Sequence, residues 1–470
     1  MSQFLYLSIS DLRKGYLNKD FSPVDVVEAT NRRLEMTNPE YNYVTYWNPK
    51  KNVERAKEAE KRLQKEGANT PILTGIPITI KDTVAVKGEP FTQGSYVFRD
   101  CIAKEDDILS ELSFNAGAIN VAKTTLPEFC HKMITDSPLF GYTLSPFNTQ
   151  YSPGGSSGGA AVALAVGIGP VAIGTDGGGS IRCPSACSNL VGIKGTLGSI
   201  PDPSNKDVFG AYWMRGPMAR TAKDCAIYFS VLSSKKASKD LFNQFASDIP
   251  IEKALALNGS VKGLKIAYIE KFRTESIHPD VAKLCKAAVE KMQQYGAHVD
   301  TVPGDLFHDV GDFYVLIHTT HHATDLGGFI KKYGDKMSAT LLASIAEGKS
   351  FTSIDLRLAA EKRGYLWQGV QEILSSYDVI ISPTLTEPMQ KIRSDAAMNT
   401  ELFKKWCPYT YPFNITGHPA ISIPVGLSQD GLPVGMQIVG PWYSELRLFE
   451  IAQWLEETQP WQAWYPGIQK

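Results

Sequence analysis

The chain has 470 residues, 43% of them hydrophobic, and its 48 basic and 49 acidic side chains leave a formal net charge of -1. That length and apolar content suffice for a large core without disulfides or metals, and the even charge excludes the electrostatic footprint of a nucleic-acid or acidic-membrane binder, so a small-molecule ligand is expected. Seven scattered cysteines match neither a disulfide framework nor a zinc site, and the opening MSQFLYLSISDLRKGYLNKD lacks a basic stretch followed by a sustained apolar run, so reduced thiols and a cytoplasmic location are expected.

The N-terminal region reads as helical, with Ser22, Pro23 and Asp25 a capping pattern followed by the apolar positions Val26, Val27, Ala29 and Leu34. A charged helix around Val53 to Lys65 follows, then a short β-branched strand from Ile76 to Ile80 that ends at Lys81. Ile108, Leu109, Leu112 and Phe114 mark another helix, Gly117 its stop, and "AINVAKT" a strand behind it. Ser152 to Thr175 carries no charge, but its clustered glycines and Pro170 fit a buried helix, a turn and a buried strand better than a membrane span. Further on, "SVKGLKIAYI" and "YDVIISPTL" read as buried strands, with helices around Val281 to Tyr295 and Ile354 to Ser375. The alternation predicts an α/β sheet covered on both faces, and with no repeat or linker to divide it, one domain over residues 1–470. Trp454, Trp461 and Trp464 in the tail should dock on the core.

Two glycine-flanked serine sites hold the chemistry, one at Ser156 and Ser157, the other at Ser180. A phosphate or dinucleotide cradle is excluded in detail, because no Gly-Lys-Ser/Thr closes the loop and no G-x-G-x-x-G occurs there. A nucleophile elbow is an open alternative: Gly154 to Gly158 satisfies G-x-S-x-G around Ser156, and Gly155 to Gly159 satisfies it around Ser157. The third reading makes Ser180 the nucleophile, since Gly177, Gly178 and Gly179 before it have no side chains to shield backbone N–H groups that could serve an oxyanion hole. No histidine lies in the segment, but a lysine can act as base where burial lowers its pKa, and Lys81 at the end of an apolar strand is a candidate.

The ordered blocks "GIPITIKD", "AKTTLPEF", "SPGGSSGGAAVALA", "GTDGGGSIRCPSACSNLVGIKGT" and "GPMARTAKD", covering about Leu73 to Asp224, resemble the amidase signature family of Ser-cis-Ser-Lys hydrolases. "YDVIISPTL" and "PFNITGHPAISIPVGLSQDGLPVGMQIVG" extend the resemblance over most of the chain. The resemblance implies a large mixed sheet with helices on both faces, and an amidase that hydrolyses aryl or alkyl acylamides through an acyl-enzyme, with no metal or organic cofactor. By position it implies that Ser180 is the nucleophile, Ser156, 24 residues earlier, the middle serine on a cis peptide, and Lys81 the base. Gly177, Gly178, Gly179 and Ser180 would supply the oxyanion amides, while Ser157 would neighbour the site, making its G-x-S-x-G match a decoy. Thr175 would support the turn, with Asp176 and Arg182 bracing the loop without touching substrate.

The family's acyl pocket implies Phe129, Met133, Ile134, Phe140 and Tyr142 as candidate pocket residues, each of which also suits plain core packing. Three departures from the family pattern bear on loop and pocket: Gly177 where a larger residue is common, Gly195 where proline is common, and Thr125 where asparagine is common. His318, His321 and His322 lack the glutamate of the zinc-protease motif and are assigned to helix packing or the substrate entrance, and Cys183 and Cys187 to buried packing. Alternatives within the same triad are a carbamate, urea-derivative or ester hydrolase and the glutaminase subunit of a tRNA-dependent amidotransferase. "TLPEFCHKM" departs from the string expected of that glutaminase. A histidine-based α/β-hydrolase and an inactive binding protein complete the set. The partner expected is a small amide, with no nucleic acid or membrane, and the family suggests a homodimer.

Overall fold

Short β-branched runs between amphipathic helices build one eleven-stranded mixed sheet in this computed structural model, which describes residues 4–234, 239–272, 276–392 and 400–466. In chain order the strands are β1 (Val44–Tyr46), β2 (Pro77–Lys81), β3 (Ile119–Thr124), β4 (Val171–Asp176), β5 (Val191–Lys194) and β6 (Met214–Ala219). The second half adds β7 (Lys265–Tyr268), β8 (His298–Thr301), β9 (Val379–Pro383), β10 (Ala420–Leu427) and β11 (Pro433–Val439). Their spatial order is β1-β3-β2-β4-β6-β5-β10-β11-β9-β7-β8, so one sheet joins both halves of the chain.

The expected helices form at Pro23–Tyr41, Pro49–Glu66, Ile108–Asn115, Pro279–Gln294 and Ser353–Ser376. At the first of these the cap is reciprocal: the Asp25 N–H donates to Ser22 Oγ at 3.2 Å, and the Ser22 N–H donates to the Asp25 carboxylate at 2.8 Å. The uncharged stretch from Ser152 resolves into the buried helix Gly158–Ala165, a turn with Gly167 and Gly169 at φ 89° and 73°, and β4. No helix among the described residues is long and apolar enough to cross a membrane. The tail docks as expected: Trp461 is fully buried and its indole N–H donates to the Arg220 carbonyl at 2.9 Å.

Strand alternation decides which way Lys81 points. Ile78 and Ile80 enter the largest apolar cluster, with Ile173, Ile193 and the Ala222–Leu232 helix, so Thr79 and Lys81 face the other side. That side carries the Gly158–Ala165 helix, which Ser157 precedes as N-cap. β2 lies parallel to both β3 and β4, which brings the C-terminal ends of three strands to one edge. β6 runs antiparallel to β4, pairing Thr175 with Arg215 and Asp176 with Met214, so the residues entering β6 arrive at the same edge. Open α/β sheets bind ligands beyond such carboxyl ends.

Gly159 lets the Gly158–Ala165 helix sit this close. A Cβ on Gly159 would fall 2.5 Å from the Thr125 nitrogen and 2.7 Å from its carbonyl oxygen, both backbone atoms that cannot rotate away. Gly159→Ala is therefore expected to lower the free energy of unfolding by about 1–3 kcal/mol, read as a shift in the urea midpoint.

Candidate active site

Lys81 ends β2 with no exposed surface, and the residue after it pins the strand end. The Asp82 carboxylate accepts from Lys123 Nζ at 2.9 Å and from the Thr92 backbone N–H at 3.1 Å and Oγ1 at 2.5 Å. Lys81 itself has hydroxyls as neighbours: Ser156 Oγ at 2.7 Å, Ser157 Oγ at 2.9 Å and Thr175 Oγ1 at 2.9 Å. Ser157 directs its own proton to the Thr175 carbonyl at 3.3 Å, which leaves its oxygen to accept from Lys81. A neutral amine can donate to Ser157 and Thr175 and keep its lone pair for the Ser156 hydroxyl. Burial lowers the Lys81 pKa from its ordinary 10.5, opposed by the nearby Cys130 thiol and the Asp176 charge.

The Gly155–Ser156 peptide is cis. A Cβ on Gly155 would lie 2.8 Å from the Met133 carbonyl carbon, so a larger residue could not pass there. The Ser157 N–H donates to the Ser180 carbonyl at 3.2 Å, tying the two serine loops together. Ser180 is 4% exposed, and its hydroxyl donates to Met133 Sδ at 3.5 Å, with no hydrogen bond joining it to Ser156.

The glycine loop before Ser180 is held from behind. Asp176 accepts the Gly179 N–H at 2.7 Å and the Ile181 N–H at 3.1 Å, and its carboxylate meets Arg182 Nε at 3.0 Å and Nη2 at 2.9 Å. Asp176 and Arg182 form a fully buried ion pair. Burial alone would raise the Asp176 pKa, but the Arg182 guanidinium and the Asn414 amide hold it well below the usual carboxylate range. Arg182 also donates to the Thr410 carbonyl at 2.8 Å, Gln437 Oε1 at 2.7 Å and Asn414 Oδ1 at 2.6 Å. The Tyr314 hydroxyl donates to the Gly177 carbonyl at 3.0 Å and Thr410 Oγ1 to the Gly178 carbonyl at 2.6 Å, turning these carbonyls away from the site. One expectation needs correction: the Gly179 amide is committed to Asp176 and does not point at a substrate. The N–H groups of Gly177, Gly178 and Ser180 meet no acceptor among the described residues.

Ser180 opens into a cavity of about 230 Å³, lined among others by Met133, Gly177, Gly178, Trp213, Tyr314, His318 and Phe403. A wider groove of about 640 Å³ lies on the side of Thr175, Thr83 and Gln93, and Trp213 and Cys130 line both spaces. The small Gly177 has a reason in this chain: a Cβ there would fall 2.8 Å from the Trp213 ring.

Of the five pocket candidates, only Met133 lines the cavity, while Phe129 lines the groove. Ile134 is 1% exposed and packs with Cys183, Cys187 and Cys407, the packing role expected of the two cysteines. Phe140 and Tyr142 line neither space, because the hairpin Asp136–Ser137/Gly141–Tyr142 carries them toward Asn42, whose amide donates to both their carbonyls at 2.6 and 2.9 Å. His318 lines the cavity, and His321 and His322 line the groove, His322 being buried with Nδ1 2.8 Å from Ser344 Oγ. Burial and neighbouring charge push the His318 pKa down to about 3, so its ring is neutral near pH 7. Among the described residues no cluster of histidine, cysteine or carboxylate could hold a metal ion. Trp213, Tyr314, Phe403 and Asn414 were not legible as site residues: each is an ordinary core or loop residue by sequence, far along the chain from Ser180.

Comparison with known proteins agrees with this geometry. The family model described as Amidase matches residues 25–449. An acylamidase of Rhodococcus erythropolis is 30% identical over 464 residues, covering 97% of this chain and 96% of that protein. A glutamyl-tRNA(Gln) amidotransferase subunit of Methylococcus capsulatus is 31% identical over 485 residues, covering 98% of each. Among solved structures, a bacterial aryl acylamidase of the amidase signature family superposes with a TM-score of 0.91 at 26% identity, over 99% of both chains. A buried lysine ringed by hydroxyls at the end of β2, a cis serine and a glycine loop before Ser180 thus occur in a chain that belongs to the amidase signature family of amidohydrolases.

Proposed function

We propose that the protein hydrolyses aryl or alkyl acylamides through an acyl-Ser180 intermediate, with Ser156 and Lys81 completing the triad. The observation that carries this reading is Lys81, fully buried, with Ser156 Oγ 2.7 Å from its amine and Ser180 in the adjoining loop. Ser180 Oγ leaves the Met133 sulfur and donates to Ser156, which in turn donates to neutral Lys81. The alkoxide-like oxygen attacks the amide carbonyl, and the free N–H groups of Gly177, Gly178 and Ser180 receive the developing oxyanion. The proton held by Lys81 returns through Ser156 to the leaving nitrogen, the C–N bond breaks, and water then releases the carboxylic acid by the same relay in reverse.

Because the leaving amine must be protonated from the Lys81 side, it departs toward the groove lined by Thr175, and the acyl group occupies the cavity with Trp213, Tyr314 and Phe403. Those rings favour an apolar acyl group. A glutamine substrate would need a cation for its α-carboxylate, and Lys132, the one lysine or arginine among the described residues lining the cavity, is engaged by Asp136 at 2.6 Å. The lining therefore supports acylamide hydrolysis over the glutaminase reading, while esters and carbamates fit the same relay as side reactions.

Purified protein is expected to release the amine from a neutral aryl acylamide without any partner protein, and Ser180→Ala to lower kcat by at least about 10³-fold. Equal activity of the two proteins would move the nucleophile to Ser156 or Ser157. With Lys81 acting as a neutral base, kcat/KM should rise with pH as Lys81 loses its proton, with a midpoint below 10.5 because burial disfavours the ammonium. Lys81→Ala should remove this limb from the pH profile. Arg182→Ala leaves Asp176 buried without its cation and is expected to cost about 3–5 kcal/mol of stability in chemical denaturation. Unchanged stability together with altered substrate preference would instead place Arg182 in the pocket.

A further inference from the structure

The polar side chains around the cavity beyond Ser180 are largely satisfied by one another. His131 has Nδ1 2.7 Å from the Glu128 carbonyl and Nε2 2.7 Å from Thr340 Oγ1. Lys132 is paired with Asp136, and Ser344 with His322. Glu347 differs: it lines the same cavity, is half-buried, and its carboxylate has no hydrogen bond or ion pair among the described residues. The nearby Lys404 is committed elsewhere, to Asp312 at 3.0 Å and to Glu401.

The placement of Glu347 is built into the fold. The Ala339–Ser350 helix begins at Ser338, whose N–H donates at 2.8 Å to the buried Glu128. Thr340, Ala343, Ser344 and Glu347 then follow at helical spacing along the one face that lines the cavity. An apolar space with a nucleophile on one wall and an unpaired carboxylate on another asks for a ligand with complementary groups at both places. Burial raises the Glu347 pKa somewhat, as expected for a carboxyl partly removed from water.

We infer that the acyl group of the preferred substrate carries a protonated amine, remote from its carbonyl and separated from it by an apolar segment, which binds the Glu347 carboxylate. This inference rests on the amide-hydrolysis reading above. It names the substrate class as acylamides of amino-substituted acids.

The test compares p-nitroanilides of ω-aminoalkanoic acids of graded length with p-nitroanilides of alkanoic acids of equal length, by kcat/KM. Wild-type protein should prefer the amino member at its best chain length by about tenfold, the scale of one hydrogen bond to a charged group. Glu347→Gln should bring that ratio close to one, Glu347→Asp should retain part of it, and added salt should reduce it in the wild type. If the alkanoic anilides turn over with no preference for the amino series, or if the preference survives in Glu347→Gln, the assignment of Glu347 is overturned and amide hydrolysis stands. If wild type cleaves neither series, both readings fall.

Discussion

Keeping a lysine amine in the dry interior without a carboxylate partner is the constraint on which this structure turns. An ammonium there is disfavoured by lost hydration, and hydroxyl oxygens compensate only in part, so the neutral form gains. Three hydroxyls within 2.9 Å suit that form, because each can donate or accept as the proton moves. A carboxylate in their place would hold the ammonium and disfavour the neutral amine. The neighbouring pair Asp82–Lys123, 2.9 Å apart, has the opposite character: a lysine and a carboxylate meet directly and fix the end of β2, while Lys81 has no carboxylate partner.

The sheet supplies the rest of the convergence. Parallel β2 and β4 end at one edge, so Lys81 and Thr175 meet although 94 positions separate them in sequence. Asp176 and Arg182 hold the loop after β4 from behind. Their hydrogen bonds leave Gly177, Gly178 and Ser180 with free N–H groups and occupy that of Gly179. Asn414, Thr410 and Gln437 complete the brace from the C-terminal half. Long-range packing therefore determines which amides are available for chemistry.

Specificity is assembled differently from reactivity. The proposed catalytic groups sit at a strand end and on short loops beside it, whereas the cavity wall comes from Trp213 before β6, from the helices Val310–Leu326 and Ala339–Ser350, and from Phe403. Glu128 links the two layers, since it stands in the block after β3 and receives the N–H at the start of the Ala339–Ser350 helix. Variation in these helices can reshape the cavity while Lys81, Ser156 and Ser180 keep their mutual positions.

The sequence by itself determined the α/β class, the principal helices and strands, the candidate serines and lysine, and through five ordered motifs the family. These features are local: caps, alternation and glycine spacing act within a few residues, and the motifs are contiguous. It also led to the Asp176–Arg182 brace, because both residues flank the loop they hold. Only the tertiary structure decided that the Gly179 amide is consumed by Asp176, since hydrogen-bond direction depends on the turn's geometry and not on composition. Only it separated Met133, at the cavity, from Ile134 in the core and from Phe140 and Tyr142, which a hairpin carries away. The cavity wall was equally out of reach, because Trp213, Tyr314, Glu347 and Phe403 come to line one cavity with Ser180 only through tertiary packing, which leaves no periodic or local trace in the sequence.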